Sequence, residues 1–203
     1  LISVDDHAEN SIVVASGANM LLNEQDVDKM LEEMCEGDIL LMQLEIPLQT
    51  VEYAARKAFG KGVKVVLNPA PARSLPKELF RHLYMVTPNR IEAEMLTGIK
   101  IANDADVEKV AEEICAMGVK NVIITLGSKG CLIREEGVSY RIDAFKVAPV
   151  DTTAAGDTFN GALCVGLSEG MDLKQAAVMA SKASSIAVTR MGAQSSIPYR
   201  EEL

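Results

Sequence analysis

ILLMQLEIPLQTVEYAARKAFGKGVKVVL, residues 39–67, sets the architecture of the chain. Ile39–Met42 is a short continuous apolar run, the pattern of a strand buried on both faces. Pro47 opens a helix that runs to about Phe59, and Gly60 and Gly62 punctuate its end. Val63–Leu67 is apolar again and reads as the next buried strand. A strand, a crossover helix and a second strand in so short a span predict a right-handed βαβ unit with parallel strands.

The same rhythm extends outward in both directions. Before it, Asn23 caps a helix to about Cys35, with Glu24 and Asp26 in the first turn where the helix dipole favours negative charge. After it come a strand at Tyr84–Val86, a helix from about Asn89 to Thr97, a helix Asp104–Met117 capped by Asn103, and a strand at Asn121–Thr125. This alternation predicts an α/β fold, a mainly parallel sheet with helices on both faces. Cys131–Arg134 and Val138–Ile142 flank Glu135, Glu136 and Gly137 and read as a hairpin on a sheet edge. Leu1–Val4 and Ser11–Ala15, joined by the polar turn Asp5–Asn10, read as a hairpin or two strands of a small sheet, which needs partners to be stable. The last third holds two helices. Phe159, Ala162, Leu163, Gly166 and Leu167 recur at helical spacing in the first; Leu173, Ala176, Ala177, Ala180, Ser184 and Ala187 do so in the second. The second stripe is nearly all small residues, so a neighbour can approach it closely.

Composition removes several classes. Hydrophobic residues make up 48% of the 203 and charged residues 24%, so a packed core is expected. The net charge of -9 is the wrong sign for a general nucleic-acid binder. The four cysteines, Cys35, Cys115, Cys131 and Cys164, form no C-x-x-C pair, and only His7 and His82 could join them, which argues against zinc. Scattered single cysteines fit a reducing cytoplasm, and no apolar run approaches a membrane span. The chain starts at Leu1 directly in a strand-like run and is expected to be part of a longer polypeptide.

The chemistry-bearing segments fall just past predicted strands, where open α/β sheets bind ligands. Residues 151–161, DTTAAGDTFNG, place small residues and an aspartate where a strand is expected to end and a helix to begin near Ala155. Ala154, Ala155 and Gly156 let the main chain approach an anion, and free N–H groups at the helix start would converge on it. Asp157, in the first turn, could take a proton from a hydroxyl attacking a phosphoryl group. An ordinary strand–turn–helix connection reads the same residues as dipole partners. Thr125, Leu126, Gly127, Ser128, Lys129 and Gly130 suit a nucleotide phosphate or ribose contact, or a plain glycine turn, without the Walker spacing. Asn89 and Glu92 share a helix face and could serve a hydrated magnesium ion or act as a reciprocal cap. Asn68–Ala72 could wall a pocket or only end a strand. Glu45 could accept hydrogen bonds from sugar hydroxyls or face solvent.

Together these segments resemble the ribokinase-like (PfkB-type) carbohydrate kinases across essentially the whole chain. The resemblance rests on residues 43–45 (QLE), 68–73 (NPAPAR), 87–89 (TPN) with Glu92, 125–130 (TLGSKG), 151–161 and 186–194 (IAVTRMGAQ). It implies ATP-dependent phosphorylation of D-ribose at O5 to ribose 5-phosphate; sibling kinases act on deoxyribose, fructose or a nucleoside. It implies Asp157 as the base, Ala154, Ala155 and Gly156 as the anion hole, and Asn89 with residues 125–130 at the nucleotide. It implies Glu92 as linked to magnesium and Glu45 as a sugar contact. Ser181 stands where related enzymes often set a histidine against the adenine. A monovalent cation, usually potassium, would sit at Asp151, Thr153, Ala187, Arg190, Gly192 and Ser196, largely through backbone oxygens. Residues 1–15 would be part of a β lid through which the complete protein forms a homodimer, and residues 16–203 the nucleotide-binding and catalytic α/β domain. The family's N-terminal sugar-binding segments have no counterpart here, so this chain alone is expected to turn over ribose poorly, or to act only as a nucleotide-binding fragment. A nicotinamide-dependent dehydrogenase is disfavoured because no G-x-G-x-x-G follows a first strand.

Overall fold

A computed structural model describes residues 2–4 and 10–203 of the chain. Strand β1 (Ile2–Val4) pairs antiparallel with β2 (Asn10–Ile12), Ser3 opposite Ser11. The second strand therefore starts one residue earlier than expected and ends short of Ala15. Of the expected turn Asp5–Asn10, residues 5–9 lie outside the described residues. The chain forms two compact units.

The sheet unit comprises Ser16–Gly127 and Cys131–Arg141. It runs α1 (Glu24–Glu32), β3 (Ile39–Met42), α2 (Leu48–Gly60), β4 (Lys64–Leu67), α3 (Lys77–Phe80), β5 (Met85–Val86), α4 (Arg90–Thr97), α5 (Asp104–Ala116), β6 (Asn121–Thr125), β7 (Cys131–Glu135) and β8 (Val138–Ile142). Strands β3 to β8 lie side by side in chain order. β3 to β6 are parallel and β7 turns back antiparallel on β6. Glu136 and Gly137 connect β7 to β8 with φ of 49° and 84°. Positive φ at both positions is the two-residue turn that matches strand twist.

Parallel neighbours in sequential order, joined by right-handed crossovers, put their helices on the same face. The core shows it. Leu40, Met42, Val65, Leu67, Val86, Val122, Ile124 and Leu132 share one buried cluster with Val51, Ala54, Ala55 and Ala58 of α2 and Val107, Val110, Ala111 and Ile114 of α5. Val66, Met85, Ile123 and Ile133 point the other way and are also fully buried. Both faces being apolar explains why β4 and β6 read as continuous runs. β3 departs from that expectation. It is the edge strand, and Leu41 is 37% exposed. α3 was not foreseen: four residues after Pro76 are too few for a helical period, though Leu79 and Phe80 are buried.

The second unit takes in the hairpin segment, Ser128–Gly130 and Ile142–Leu203. Its helices are α6 (Ala155–Ser168) and α7 (Leu173–Ala187). They pack closely because their facing residues are small. A Cβ on Gly166 would stand 3.1 Å from the Ala176 Cβ and 3.2 Å from its Cα. The buried stripe of α7 is Leu173, Ala176, Ala177, Ala180, Ala183 and Ala187. Ala183 rather than Ser184 occupies its centre. No strand leads into α6: residues 143–150 are irregular, and the expected strand end at Asp151 is a loop.

Candidate active site

In the sheet unit, four loops leave the carboxyl ends of β3 to β6, and hydrogen bonds tie them into a row. Leu44 N donates to Ala70 O at 2.8 Å and Asn68 N to Met42 O at 2.9 Å, joining the loop of Glu45 to the loop after β4. The buried Asn68 donates through Nδ2 to Thr87 O at 3.2 Å. Thr125 N donates to Pro88 O at 2.9 Å, and Asn89 bridges to Thr125 as an extra parallel pairing. The structure thus brings Asn89 beside the start of the 125–130 loop. Glu45, Asn89 and Gly127 are exposed.

Asn89 and Glu92 form a complete capping box. Asn89 Oδ1 accepts from Glu92 N at 2.9 Å, and Glu92 Oε2 accepts from Asn89 N at 2.7 Å. Glu92 is 6% exposed, and burial pushes its carboxyl above the ordinary value, with the Asn89 bond pulling the other way. Gly127–Lys129 form one 3-10 turn. Gly130 has φ 80°, and a Cβ there would collide with the Ile142 carbonyl, so the loop requires glycine at its end.

The second unit holds the rest of the predicted site. Asp151, 2% exposed, accepts from Thr153 N through Oδ1 and from Gly192 N through Oδ2, both at 2.9 Å. The adjoining Thr153 hydroxyl, then the Gly192 and Thr153 amides, hold its carboxyl below the usual range. That hydroxyl favours the charged form without completing a hydrogen bond of good geometry, and it is left buried without a partner, as is the Thr158 hydroxyl. Val150 N and Asp151 N both donate to Val188 O, so the cradle loop is fastened to the end of α7. This joins Asp151 and Thr153 to the segment of Ala187, Arg190, Gly192 and Ser196.

α6 opens without a side-chain cap. Its cap residue, Ala154, has φ 59° and ψ 13°, the left-handed conformation a Cβ disfavours. A left-handed residue leading into helix turns successive N–H groups toward one point, an anion-binding concavity. Strain of this kind clusters at functional sites. Ala155 N is partly committed, at 3.2 Å from Thr152 O. Asp157 stands in the first turn and, like Gly156, is exposed. Among the described residues, no atom outside its own helix lies within 4 Å of where a Cβ on Gly156 would sit. Two partners of this turn escaped the sequence reading: Ser184 Oγ donates to Ala155 O at 2.9 Å, and Asn160 Nδ2 to Gly156 O at 2.9 Å. Asn160, a buried polar residue one turn after Gly156, carried the only signal. Ser181 lies half-buried on α7.

Among the described residues no helix is long and apolar enough to cross a membrane. Residues 1–200 match the model of the pfkB family carbohydrate kinases. The chain is 47% identical to the ribokinase of Haemophilus influenzae over 99% of its own length and 66% of that protein's. A crystal structure of ribokinase from Thermotoga maritima superposes with a TM-score of 0.86 at 42% identity, covering 99% of this chain and 66% of that one. Arabidopsis thaliana ribokinase, solved with ribose and ATP, gives a TM-score of 0.87 at 29% identity over the same shares. The chain therefore spans about two thirds of the length of these relatives, and it has their ribokinase-like α/β fold. On the match of its whole length and on this fold, the chain belongs to the pfkB family of carbohydrate kinases.

Proposed function

We propose that this chain is the catalytic part of an ATP-dependent kinase that phosphorylates D-ribose at O5. The observation that carries the reading is the start of α6, an uncapped helix end opened by a left-handed alanine, with an exposed aspartate in its first turn. The sugar hydroxyl oxygen forms a bond to the γ-phosphorus, the bond from that phosphorus to ADP breaks, and the hydroxyl proton passes to Asp157. Ala154, Ala155 and Gly156 present backbone N–H groups to the phosphoryl oxygens, stabilising charge as it develops. Asn89 and residues 125–130 take the nucleotide and Glu45 a sugar hydroxyl. Ser181 contributes to the adenine environment. The relatives named ribokinase, one of them solved with ribose and ATP, support ribose over its siblings.

The residues fit a monovalent cation. Asp151 is a buried carboxylate, the Thr153 hydroxyl beside it is unpartnered, and Gly192 ties the segment of Ala187, Arg190 and Ser196 to the same carboxylate. The Asp151 carboxylate and the Thr153 hydroxyl are oxygen ligands of the kind potassium takes. A bound cation would offset the buried charge and brace the turn. Magnesium would arrive with the nucleotide, bound by its phosphates and waters. Glu92 commits one oxygen to its cap, so only the other could serve a magnesium-bound water. A reducing cytoplasm suits the free cysteines Cys35, Cys115, Cys131 and Cys164. Pairing of two copies through the lid is supported by the antiparallel hairpin and by Val13 and Val14, exposed just beyond it.

The test is ADP release by the full-length protein across ribose, deoxyribose, fructose and nucleosides, with and without potassium. Ribose is expected to give the highest kcat/KM; equal or better turnover of fructose overturns the assignment.

A further inference from the structure

A peptide group is planar, so the carbonyl of one residue and the N–H of the next turn together. The Ala155 carbonyl and the Gly156 N–H belong to one such plane, and the Gly156 carbonyl and the Asp157 N–H to the next. Ser184 holds the first plane from α7 and Asn160 holds the second from within α6, each by a 2.9 Å bond to its carbonyl. Between them stands glycine, the residue with the softest backbone. Asn160 is 3% exposed, so its bond is shielded from water. Ser184 is half-buried and crosses from a neighbouring helix, 29 residues on in sequence.

We infer that Ser184, assisted by Asn160, is a positioning residue: it fixes the direction of the Gly156 N–H and thereby the geometry of the phosphate cradle. This rests on the kinase reading above. Neither side chain touches substrate; each acts through a backbone plane. A donor aimed at where charge develops loses much of its effect when it can swing, and one such donor is worth roughly a hundredfold or more in rate. A tether that limits its swing carries a part of that.

Ser185 supplies the control. It is the next residue on the same helix, and its hydroxyl donates to Lys182 O, one turn back on α7 itself. Ser184→Ala, Ser185→Ala and Ser184→Thr are compared in the full-length protein by steady-state kinetics and thermal unfolding. Alanine suits this helix, and threonine adds one methyl at a half-buried position, so all three are expected to fold. Ser184→Ala is expected to lower kcat about tenfold while leaving KM for ATP and ribose within about twofold and Tm within about 2 °C. Ser184→Thr keeps the hydroxyl and is expected to recover most of the rate; Ser185→Ala is expected to change nothing. Unchanged kcat in Ser184→Ala overturns the positioning role and leaves the kinase reading standing. Loss of kcat in step with Tm, unrescued by threonine, overturns it too, since that is a packing effect. If the unmodified protein transfers no phosphate to any of these acceptors, the kinase reading fails and the positioning role falls with it.

Discussion

α4 and α6 begin in opposite ways. α4 starts on a complete capping box, Asn89 with Glu92, and α1, α5 and α7 start on boxes of the same kind. α6 has no side-chain cap; its cap residue is an alanine in the left-handed region, and two threonine hydroxyls near it are buried without partners. α2 and α3 also start without a side-chain cap, each behind a proline, but of the described α-helices only α6 adds a cap residue in the left-handed region. On the proposed function, the open N–H groups and the two buried hydroxyls at α6 are what a ligand would meet. On that function too, the boxed start of α4 carries stability as well as a nucleotide contact, and the open start of α6 carries the ligand alone.

The sharpest way to break this contrast is Asp157→Asn at the open end. Loss of the proton acceptor is expected to lower turnover by roughly 10²–10⁴, with nucleotide affinity retained by titration. Turnover surviving within tenfold removes Asp157 from its role. Gly156→Ala comes next. Among the described residues the added methyl meets no atom outside its own helix, and it sits in helical backbone, so stability is expected to hold or to rise by up to about 1 kcal/mol of helix propensity, read as an unchanged or higher Tm. Phosphoryl transfer is expected to fall roughly tenfold, because the methyl stands where the anion approaches. A variant both more stable and as active would show that the space is unused.

At the boxed end the expected effects are smaller and fall on stability. Asn89→Ala should cost about 1 kcal/mol in denaturant unfolding, the usual worth of such a cap, and raise the KM for ATP. Full stability in that variant would undo the contrast. The least effect is in pH. Burial raises the folded-state value of Glu92, so the folded chain binds that proton more tightly than the unfolded one. The penalty on the charged form is complete above the raised value, and it is relieved as pH falls through that value toward the ordinary 4.5. Glu92→Gln keeps an oxygen for the Asn89 N–H and loses the titration. Wild type should gain stability on the variant across that window; parallel pH–stability curves would contradict the burial.

Much of the boxed part was legible in the sequence, because caps and buried parallel strands are written in residues close together. Asn23, Asn89 and Asn103 each announce a helix, and the runs 63–67 and 121–125 announce strands. Edge position is not local, so the apolar Ile39–Met42 could not reveal that Leu41 is half out of the sheet. The open end was legible only in part. Its small residues were plain, but nothing in them marked which would take the positive φ: it falls on Ala154, and Gly156 is helical. No residue-level propensity points to a left-handed alanine, since the surrounding fold imposes it. The Asp151–Gly192 and Ala155–Ser184 bonds join positions 41 and 29 apart, and spacing of that order leaves no mark in the sequence.

During synthesis the Asp151 carboxylate waits for Gly192. Both helices of its unit are translated between the two, and the loop they close spans 41 residues. The sheet unit, built from consecutive strands with local crossovers, can assemble from contacts already made. The cradle cannot: its fastening at Val188 and Gly192 lies behind α7 in the order of translation. A nascent chain halted before those residues would carry a finished sheet and an unlatched Asp151. Transfer chemistry, on this reading, comes after the sheet in the order of translation, and a truncation before Gly192 would remove it while sparing most of the sheet unit's core.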